Sequence, residues 1–294
     1  MMKEDFLNYL RLELCRSEHT VKGYSDDLDA FESFFKKSDT LNSWESVDAD
    51  VVRDWVESMM DAGSSVASIN RRLSALRSFY NFAVSRNIIR SNPARFVRGL
   101  KQGRPLPQFL KEKEMDALLD ERMWDMDDYE DVLFRTIIMT FYETGVRLSE
   151  LIGLDDSSVN LTNREIKVTG KRNKQRIIPL GEELLLTLQG YMNFRNSKIS
   201  RKSDAVFLSV KGDRLKSYQV QYGVKKNLSR VCSLKERTPH VLRHSFATAM
   251  LNHEAGLESL KKLLGHASLT TTEIYTHTTF EQLKKVYKNA HPRA

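Results

Sequence analysis

Between Thr238 and His277 the chain places two imidazoles, one guanidinium and one phenol: His240, Arg243, His266 and Tyr275. Imidazoles exchange protons near neutral pH. A guanidinium offers paired N–H donors that match phosphate oxygens. A phenol, with a free pKa near 10, becomes a nucleophile only where its surroundings remove its proton and stabilise the charge that builds on the group attacked. This combination suits chemistry on a phosphate. Each member also has a plainer reading, since a histidine beside a helix cap is commonly structural and a tyrosine at helical spacing is commonly core.

The stretch carries its own start and stop signals. Thr238 is an expected N-cap with Pro239 at the first helical position, so the positive end of the helix lies beside His240. His240 and Arg243 are three apart and share a face, while Leu242, Phe246, Met250 and Leu251 form the buried side of a helix ending at Gly256. Leu260, Leu263 and Leu264 make a second buried helix ending at Gly265, which puts His266 just past a C-cap. Ser268 can cap a third helix bearing Tyr275. His240 and His244 also have the i, i+4 spacing of metal ligands, but H-V-L-R-H lacks the adjacent glutamate of the HExxH motif and no third ligand is placed.

Two more candidates lie upstream. A strongly apolar helix from Tyr129 to Glu143 runs into E-T-G-V-R-L-S-E-L, where Gly145 breaks it and Ser149 starts the next. Arg147 therefore sits on a tight turn between buried helices, where it needs an anion; a salt bridge to Glu143 or Glu150 is the structural alternative. The run R-E-I-K-V-T-G-K-R-N-K-Q-R-I-I-P-L reads as a β-hairpin, with Ile166 and Val168 in one strand, Ile178 in the other and a turn around Gly170 to Lys174. Its basic tip holds Lys171, and its neighbours Arg172, Lys174 and Arg176 make a solvated charge cluster the plain reading for any one of them. A short helix at Lys113 to Asp120, helices near Glu182 to Asn196 and Ser217 to Val231, and a short strand at Val206 to Leu208 complete this half. Arg195, Lys198, Arg201, Lys202, Lys225 and Lys226 add phosphate-binding capacity there without a specific signature.

The preceding hundred residues read as four amphipathic helices: one near residues 3 to 14, one following Thr20, one capped by Asp48 and stopped by Gly63, and one from about Ser65 to Arg86. Charge divides sharply along them. Met1 to Asp61 holds fifteen acids and seven bases, whereas Ala62 to Phe109 holds nine Lys or Arg and no acid. Within that basic stretch Arg71, Arg72 and Arg77 lie on the fourth helix with no acid near in sequence, so the helix is a candidate for DNA contact. Ser91 to Gln108, with three prolines, two glycines and the cations Arg95, Arg98, Lys101 and Arg104, reads as a linker lying along a polyanion. A basic solvated face and a plain surface connection are the competing readings.

Bulk properties limit the function classes. A chain of 294 residues with 40% apolar and 29% charged residues forms cores and suits two domains. No run has the length of a membrane span, and the opening Met-Met-Lys-Glu-Asp lacks the apolar core of a signal peptide, so a cytoplasmic location without membrane insertion is expected. Cys15 and Cys232, the only cysteines, suit neither a disulfide framework nor a zinc site and are expected to be buried thiols. The net charge of +7 points only weakly to nucleic acid.

Taken together, R-L-S-E-L at 147–151, T-G-K at 169–171, H-V-L-R-H at 240–244, L-G-H at 264–266 and I-Y-T-H at 274–277 resemble, in order and spacing, the tyrosine site-specific recombinases of the phage integrase family. Among these, the bacterial Xer-type recombinases are the nearest likeness, over nearly the whole chain. The resemblance implies a mainly α fold with a small β-hairpin or sheet in the C-terminal domain. An N-terminal helical core-binding, SAM-like domain over 1–100, a basic linker over 101–108 and a catalytic domain over 109–294 would clamp DNA. It implies that Tyr275 attacks a phosphodiester to give a 3′-phosphotyrosyl link, with Arg147 and Arg243 on the non-bridging oxygens. Lys171 would protonate the 5′ leaving oxygen, His240 assist the tyrosine's proton transfer and His266 hydrogen-bond the phosphate.

No metal or nucleotide cofactor is implied, because the covalent link conserves the bond energy. The implied partners are a double-stranded recombination site, a homo- or heterotetramer on two sites that includes a paralogous recombinase in the second case, and a regulator such as a DNA translocase. The last helix, Phe280 to Asn289, would pack on a neighbouring subunit, with folding back on its own domain as the alternative. The expected role is resolution of chromosome or plasmid dimers. Ala249, in H-S-F-A-T-A-M-L, stands where Xer proteins commonly carry histidine, and keeps a mobile-element integrase in view; a type IB topoisomerase shares the same active-site logic.

Overall fold

The computed structural model describes residues 2–38, 43–103, 108–170, 173–265 and 286–293. The chain divides into two compact units, Met1–Pro105 and Leu106–Ala294.

The first unit is built from α1 (Met2–Asn8), continued by a π turn over Tyr9–Glu13, α2 (Glu18–Ser38), α3 (Ala49–Asp61) and α4 (Val66–Ser85). Local chemistry sets their limits. The Asp48 carboxylate accepts the Asp50 and Val51 N–H groups at 2.9 and 3.0 Å, and the Ser65 hydroxyl accepts that of Ser68 at 3.2 Å, so two helix starts have their orphan donors satisfied. Gly63, at φ +73°, takes the left-handed turn between α3 and α4. The apolar stripes meet in an aromatic core of Phe6, Phe31, Phe35, Trp55 and Phe79, with Trp44 edge-on to Phe79 at 4.6 Å between ring centres.

Two sequence expectations change in this unit. The segment read as linker from Ser91 is folded structure as far as Leu100. The Asn92 amide donates to Arg77 O and to Asn81 Oδ1, Pro93, Ala94 and Val97 are buried, and Asn70 exchanges two 2.9 Å bonds with the Leu100 backbone. Proline and glycine content signalled irregular backbone, but Ala94 and Val97 gain more by joining the core than by staying solvated. Cys15 is exposed, at φ +46°, rather than a buried thiol.

The second unit holds α5 (Glu112–Leu119), α6 (Tyr129–Thr144), α7 (Leu148–Ile152), strands β1 (Val159–Asn160), β2 (Glu165–Thr169) and β3 (Gln175–Pro179), then α8 (Glu182–Lys198), α9 (Ser217–Leu228), α10 (Pro239–Asn252) and α11 (Leu257–Leu264). The molecule is thus mainly α with one small antiparallel sheet, in the order β1-β2-β3. α6 is the central element, packed by α8 and α10. Thr136 and Thr140 return their hydroxyls to the carbonyls four residues back, at 2.8 and 2.7 Å, which lets polar side chains sit in this core. In the hairpin Ile166 pairs with Ile178 and Val168 with Arg176. Strand alternation therefore turns Arg176 toward the same buried face as Ile166, Val168 and Ile178.

Several local expectations are corrected. Val206 to Leu208 forms no named strand; the neighbouring residues make isolated bridges, Ala205 to Asp155 and Leu208 to Arg214. α10 stops at Asn252, with Glu254 at φ +64° making the turn, and Gly256 is the N-cap of α11. Leu251 is exposed because it falls off the Leu242, Phe246, Met250 stripe. α7 starts at an Arg147 N-cap rather than at Ser149. Arg195 is fully buried and paired with Asp156 at 2.8 and 2.9 Å, so it is a core ion pair with no surface for phosphate.

Of the last helix expected over Phe280 to Asn289, 280–285 lie outside the described residues; the described end, 286–293, packs against its own unit. Tyr287, Ala290 and His291 are buried, the Tyr287 and His291 rings stack at 5.2 Å, and Arg293 pairs with Glu183 and with Asp116. Of the stripe that suggested a subunit contact, Tyr287 is buried and Val286 half-buried within this unit, and Leu283 lies outside the described residues. Among the described residues no helix is long and apolar enough to cross a membrane.

Candidate active site

The site grows from the end of α6. Gly145 sits at φ +59°, and a Cβ there would collide with Phe246 and Leu264. The turn is therefore closed tightly against α10 and α11, and only glycine fits it. Two residues later Arg147 is the N-cap of α7. Glu150, three residues on, reaches back so that its Oε2 accepts the Arg147 backbone N–H at 2.8 Å and its Oε1 accepts Arg147 Nη1 at 2.8 Å. Of the two alternatives for the Arg147 partner, Glu150 is the one realised.

Glu150 is shared. Arg176, from the buried face of β3, donates Nη1 to Oε1 at 2.8 Å and Nη2 to Oε2 at 2.9 Å. Burial alone would raise the Glu150 carboxyl, but the hydrogen bonds from Arg176 and Arg147 outweigh it and hold the group down at about 2. The sequence offered Glu150 only as a possible partner of Arg147 and placed Arg176 in a solvated charge cluster, whereas the fold buries Arg176 because strand alternation turns it inward. The available signals were a glutamate three residues after a turn arginine and an arginine in register with the strand's inward residues.

Arg243 comes from the buried side of α10. Its Nη1 donates to Gly145 O and its Nη2 to Leu264 O, the latter at 2.7 Å. Arg147 Nη2 donates to Gly265 O at 3.1 Å, and Arg176 Nε to Leu263 O at 2.7 Å. Three guanidiniums from three different elements thus take the last three carbonyls at the end of α11, where orphan acceptors and the negative end of the helix dipole favour cations. Gly265 closes that end in the left-handed conformation, at φ +63°.

The electrostatic balance is the informative quantity. Three buried or half-buried arginines face one carboxylate, leaving two positive charges uncompensated among the described residues. Burial, followed by repulsion from Arg147 and Arg176, lowers Arg243 to about 10, so it remains charged at neutral pH. An arrangement that keeps excess positive charge in place, with guanidinium N–H groups beyond those already used, is a preformed anion site. Arg147 is one-third exposed, which gives an anion access to it.

The six sequence candidates for chemistry divide in the structure. Arg147 and Arg243 are brought together at the end of α11. His240 lies on the first turn of α10 but is exposed while Arg243 is buried, so the two occupy different environments on one helix. Lys171, His266 and Tyr275 lie outside the described residues, as do Arg104 and Arg172 of the DNA-contact set.

For the remaining basic residues, the structure corrects a premise. Arg71 and Arg72 do have an acid, supplied by α2: Asp27, itself buried, pairs with Arg71 and lies 3.8 Å from Arg72 Nε. Arg77 is half-buried and donates to Ala94 O at 3.1 Å and to Val97 O, fastening the segment after α4. Arg95, Arg98, Lys101 and Lys174 are exposed. α9, where the sequence offered Lys225 and Lys226 without a specific role, adds two tyrosines to an exposed face. Tyr218, Gln221, Tyr222 and Lys225 are all exposed along it, opposite the buried Val220, Val224 and Leu228.

Comparison with known proteins gives this geometry a family. Residues 108–282 match the phage integrase family, and residues 4–87 match the phage integrase N-terminal SAM-like domain. The chain is 36% identical to the tyrosine recombinase XerC of Staphylococcus saprophyticus over 294 residues, covering 100% of this chain and 98% of the relative. It is 38% identical to the XerC of Escherichia coli O127:H6, covering 99% of this chain and 96% of that one. Among solved structures, the XerH site-specific recombinase bound to its palindromic difH substrate shares the fold with a TM-score of 0.72 and 23% identity, covering 96% of this chain and 82% of XerH. The chain belongs to the phage integrase family, as a tyrosine recombinase of the Xer type.

Proposed function

We propose that this protein cuts and rejoins duplex DNA at specific sites, and that the end of α11 is where the scissile phosphate is held. The observation that carries the reading is the convergence of Arg147 and Arg243 on the Leu264 and Gly265 carbonyls with positive charge in excess. In the reaction the Tyr275 hydroxyl oxygen bonds to phosphorus, the bond from phosphorus to the 5′ oxygen breaks, and a 3′-phosphotyrosyl link and a 5′-hydroxyl result. Arg147 and Arg243 hold the non-bridging oxygens, where charge accumulates in the transition state. His240 takes part in removing the tyrosine proton, Lys171 supplies one to the 5′ oxygen, and His266 hydrogen-bonds the phosphate. Attack by the 5′-hydroxyl of a partner strand reverses the step with exchanged strands.

Full-length likeness to XerC proteins supports dimer resolution on chromosomes or plasmids as the biological role. A tetramer on two sites, with identical or paralogous subunits, follows from reciprocal strand exchange, and a translocase is the class of regulator that would suit it. Exposed Arg95, Arg98, Lys101 and Lys174 are the cations available for backbone contact; Arg71 is the most exposed of the α4 arginines but shares its charge with Asp27. The test is covalent trapping. Wild-type protein incubated with nicked genomic fragments should yield an adduct that survives denaturant, whose DNA identifies the site. Tyr275→Phe should yield none. Persistence of the adduct in that variant would remove Tyr275 as nucleophile.

A further inference from the structure

Arg176 has no part in the chemistry described so far, yet it ties three elements of the site's framework together. It is 6% exposed and emerges from β3, the second strand of the hairpin. Its guanidinium grips both oxygens of Glu150, its Nε bonds Leu263 O, and its stem and Nη1 lie against Gly265, where a Cβ would come within 3.1 Å of Nη1 and 3.3 Å of Cδ. One side chain therefore ties the hairpin, the α7 turn and the end of α11. Its charge also has a specific consequence for Arg147.

Glu150 is almost fully buried and has two strong cationic partners. Were Arg176 absent, Arg147 would be its sole counter-charge. A buried carboxylate in that position either draws the remaining guanidinium fully onto itself or becomes protonated and releases it. In the first case Arg147 loses N–H groups to Glu150 that a phosphate needs, and in the second it loses its orientation. With Arg176 in place, each Glu150 oxygen already has a charged donor, and of its guanidinium Arg147 spends only Nη1 on Glu150.

We infer that Arg176 is a positioning residue for strand cleavage, saturating Glu150 so that Arg147 is held in place with donors left for the scissile phosphate. The inference rests on Arg147 being a phosphate ligand, as proposed above, and the test separates the two. The probes are duplexes of the trapped sequence, carrying at the scissile position either a normal phosphate or a methylphosphonate, in which a neutral methyl replaces one charged non-bridging oxygen. The readout is the ratio of single-turnover cleavage rates on the two duplexes at saturating protein, for wild type, Arg147→Ala, Arg176→Lys and Arg176→Met. Because both rates come from one preparation, any loss of folded protein cancels in the ratio.

Arg176→Lys and Arg176→Met should cleave the phosphate on the order of a hundredfold more slowly than wild type, with DNA affinity unchanged, and lose far less on the methylphosphonate. Arg147→Ala should show the same relief. If Arg147→Ala loses equally on both substrates, the phosphate-binding reading of Arg147 is wrong. If Arg147→Ala is relieved but the Arg176 variants lose equally on both, or cleave like wild type, Arg176 is only structural and the inference is overturned.

Discussion

Glu143 offers the sharpest test of the packing described for the second unit. Its carboxyl is fully buried on α6, beside the site turn, and among the described residues Oε1 has no hydrogen-bond partner. Among the described residues, Oε2 receives only the Tyr287 hydroxyl, at 3.5 Å. Burial, reinforced by Glu183 and only partly offset by Arg293, pushes Glu143 up to about 8. The native state therefore keeps a proton that the unfolded chain releases above its ordinary value near 4.5. The contribution is complete below pH 4.5 and is lost as pH rises to about 8. At about 1.4 kcal/mol per pH unit, it amounts to roughly 3 kcal/mol lost by pH 7.

Glu143→Gln keeps the shape and removes the titration, so the variant should match wild type at pH 4.5 and exceed it by about 3 kcal/mol at pH 7. His291, nearby and lowered by burial to about 4, works in the opposite sense. Its unfolded form binds a proton below 6.5, so stability is lost as pH falls from there toward 4. Both proteins carry that histidine, and its effect cancels in their difference. The assay is urea unfolding of the full chain between pH 4.5 and 8.5, followed by hydrogen exchange of the α6 amides so that only this unit is read. A difference that does not change with pH, or a variant less stable at pH 8, would show that Glu143 is solvated and that 286–293 does not cover it.

Two predictions concern the reaction and its substrate. Lys171→Ala should cleave a normal duplex poorly and recover on one whose 5′ leaving atom is sulfur, because a thiolate leaves without a proton; absence of recovery removes Lys171 as the general acid. Replacing Arg95, Arg98 and Lys101 together should weaken DNA binding and reduce the slope of log affinity against log salt by about 3, as expected for three lost phosphate contacts. An unchanged slope would assign the contacts to another face, with α9 and its Tyr218, Tyr222 and Lys225 the next to test.

Much of the molecule was written locally. The Asp48 and Ser65 caps, Pro239 opening α10, Gly145 and Gly265 in left-handed turns, and the alternation of Ile166 and Val168 each depend on a few neighbouring residues, because backbone sterics and end-group hydrogen bonds act over one helical turn. The order of the reacting residue types was legible for the same reason, as a set of short motifs. What the charged side chains do was not. Arg71 and Arg72 lacked an acid in their own stretch, but folding brought Asp27 to them. Arg195 looked like surface and became the buried partner of Asp156, and Tyr287 is buried within its own unit. Glu150 and Arg176, far apart in the chain, meet only because α7 and β3 are folded against each other. A charge takes whichever counter-charge lies nearest in space, and the tertiary packing alone sets that distance. The sequence by itself determined which groups could handle a phosphate; the fold decided that Arg147 and Arg243 converge on the end of α11 and that Arg147 shares Glu150 with Arg176.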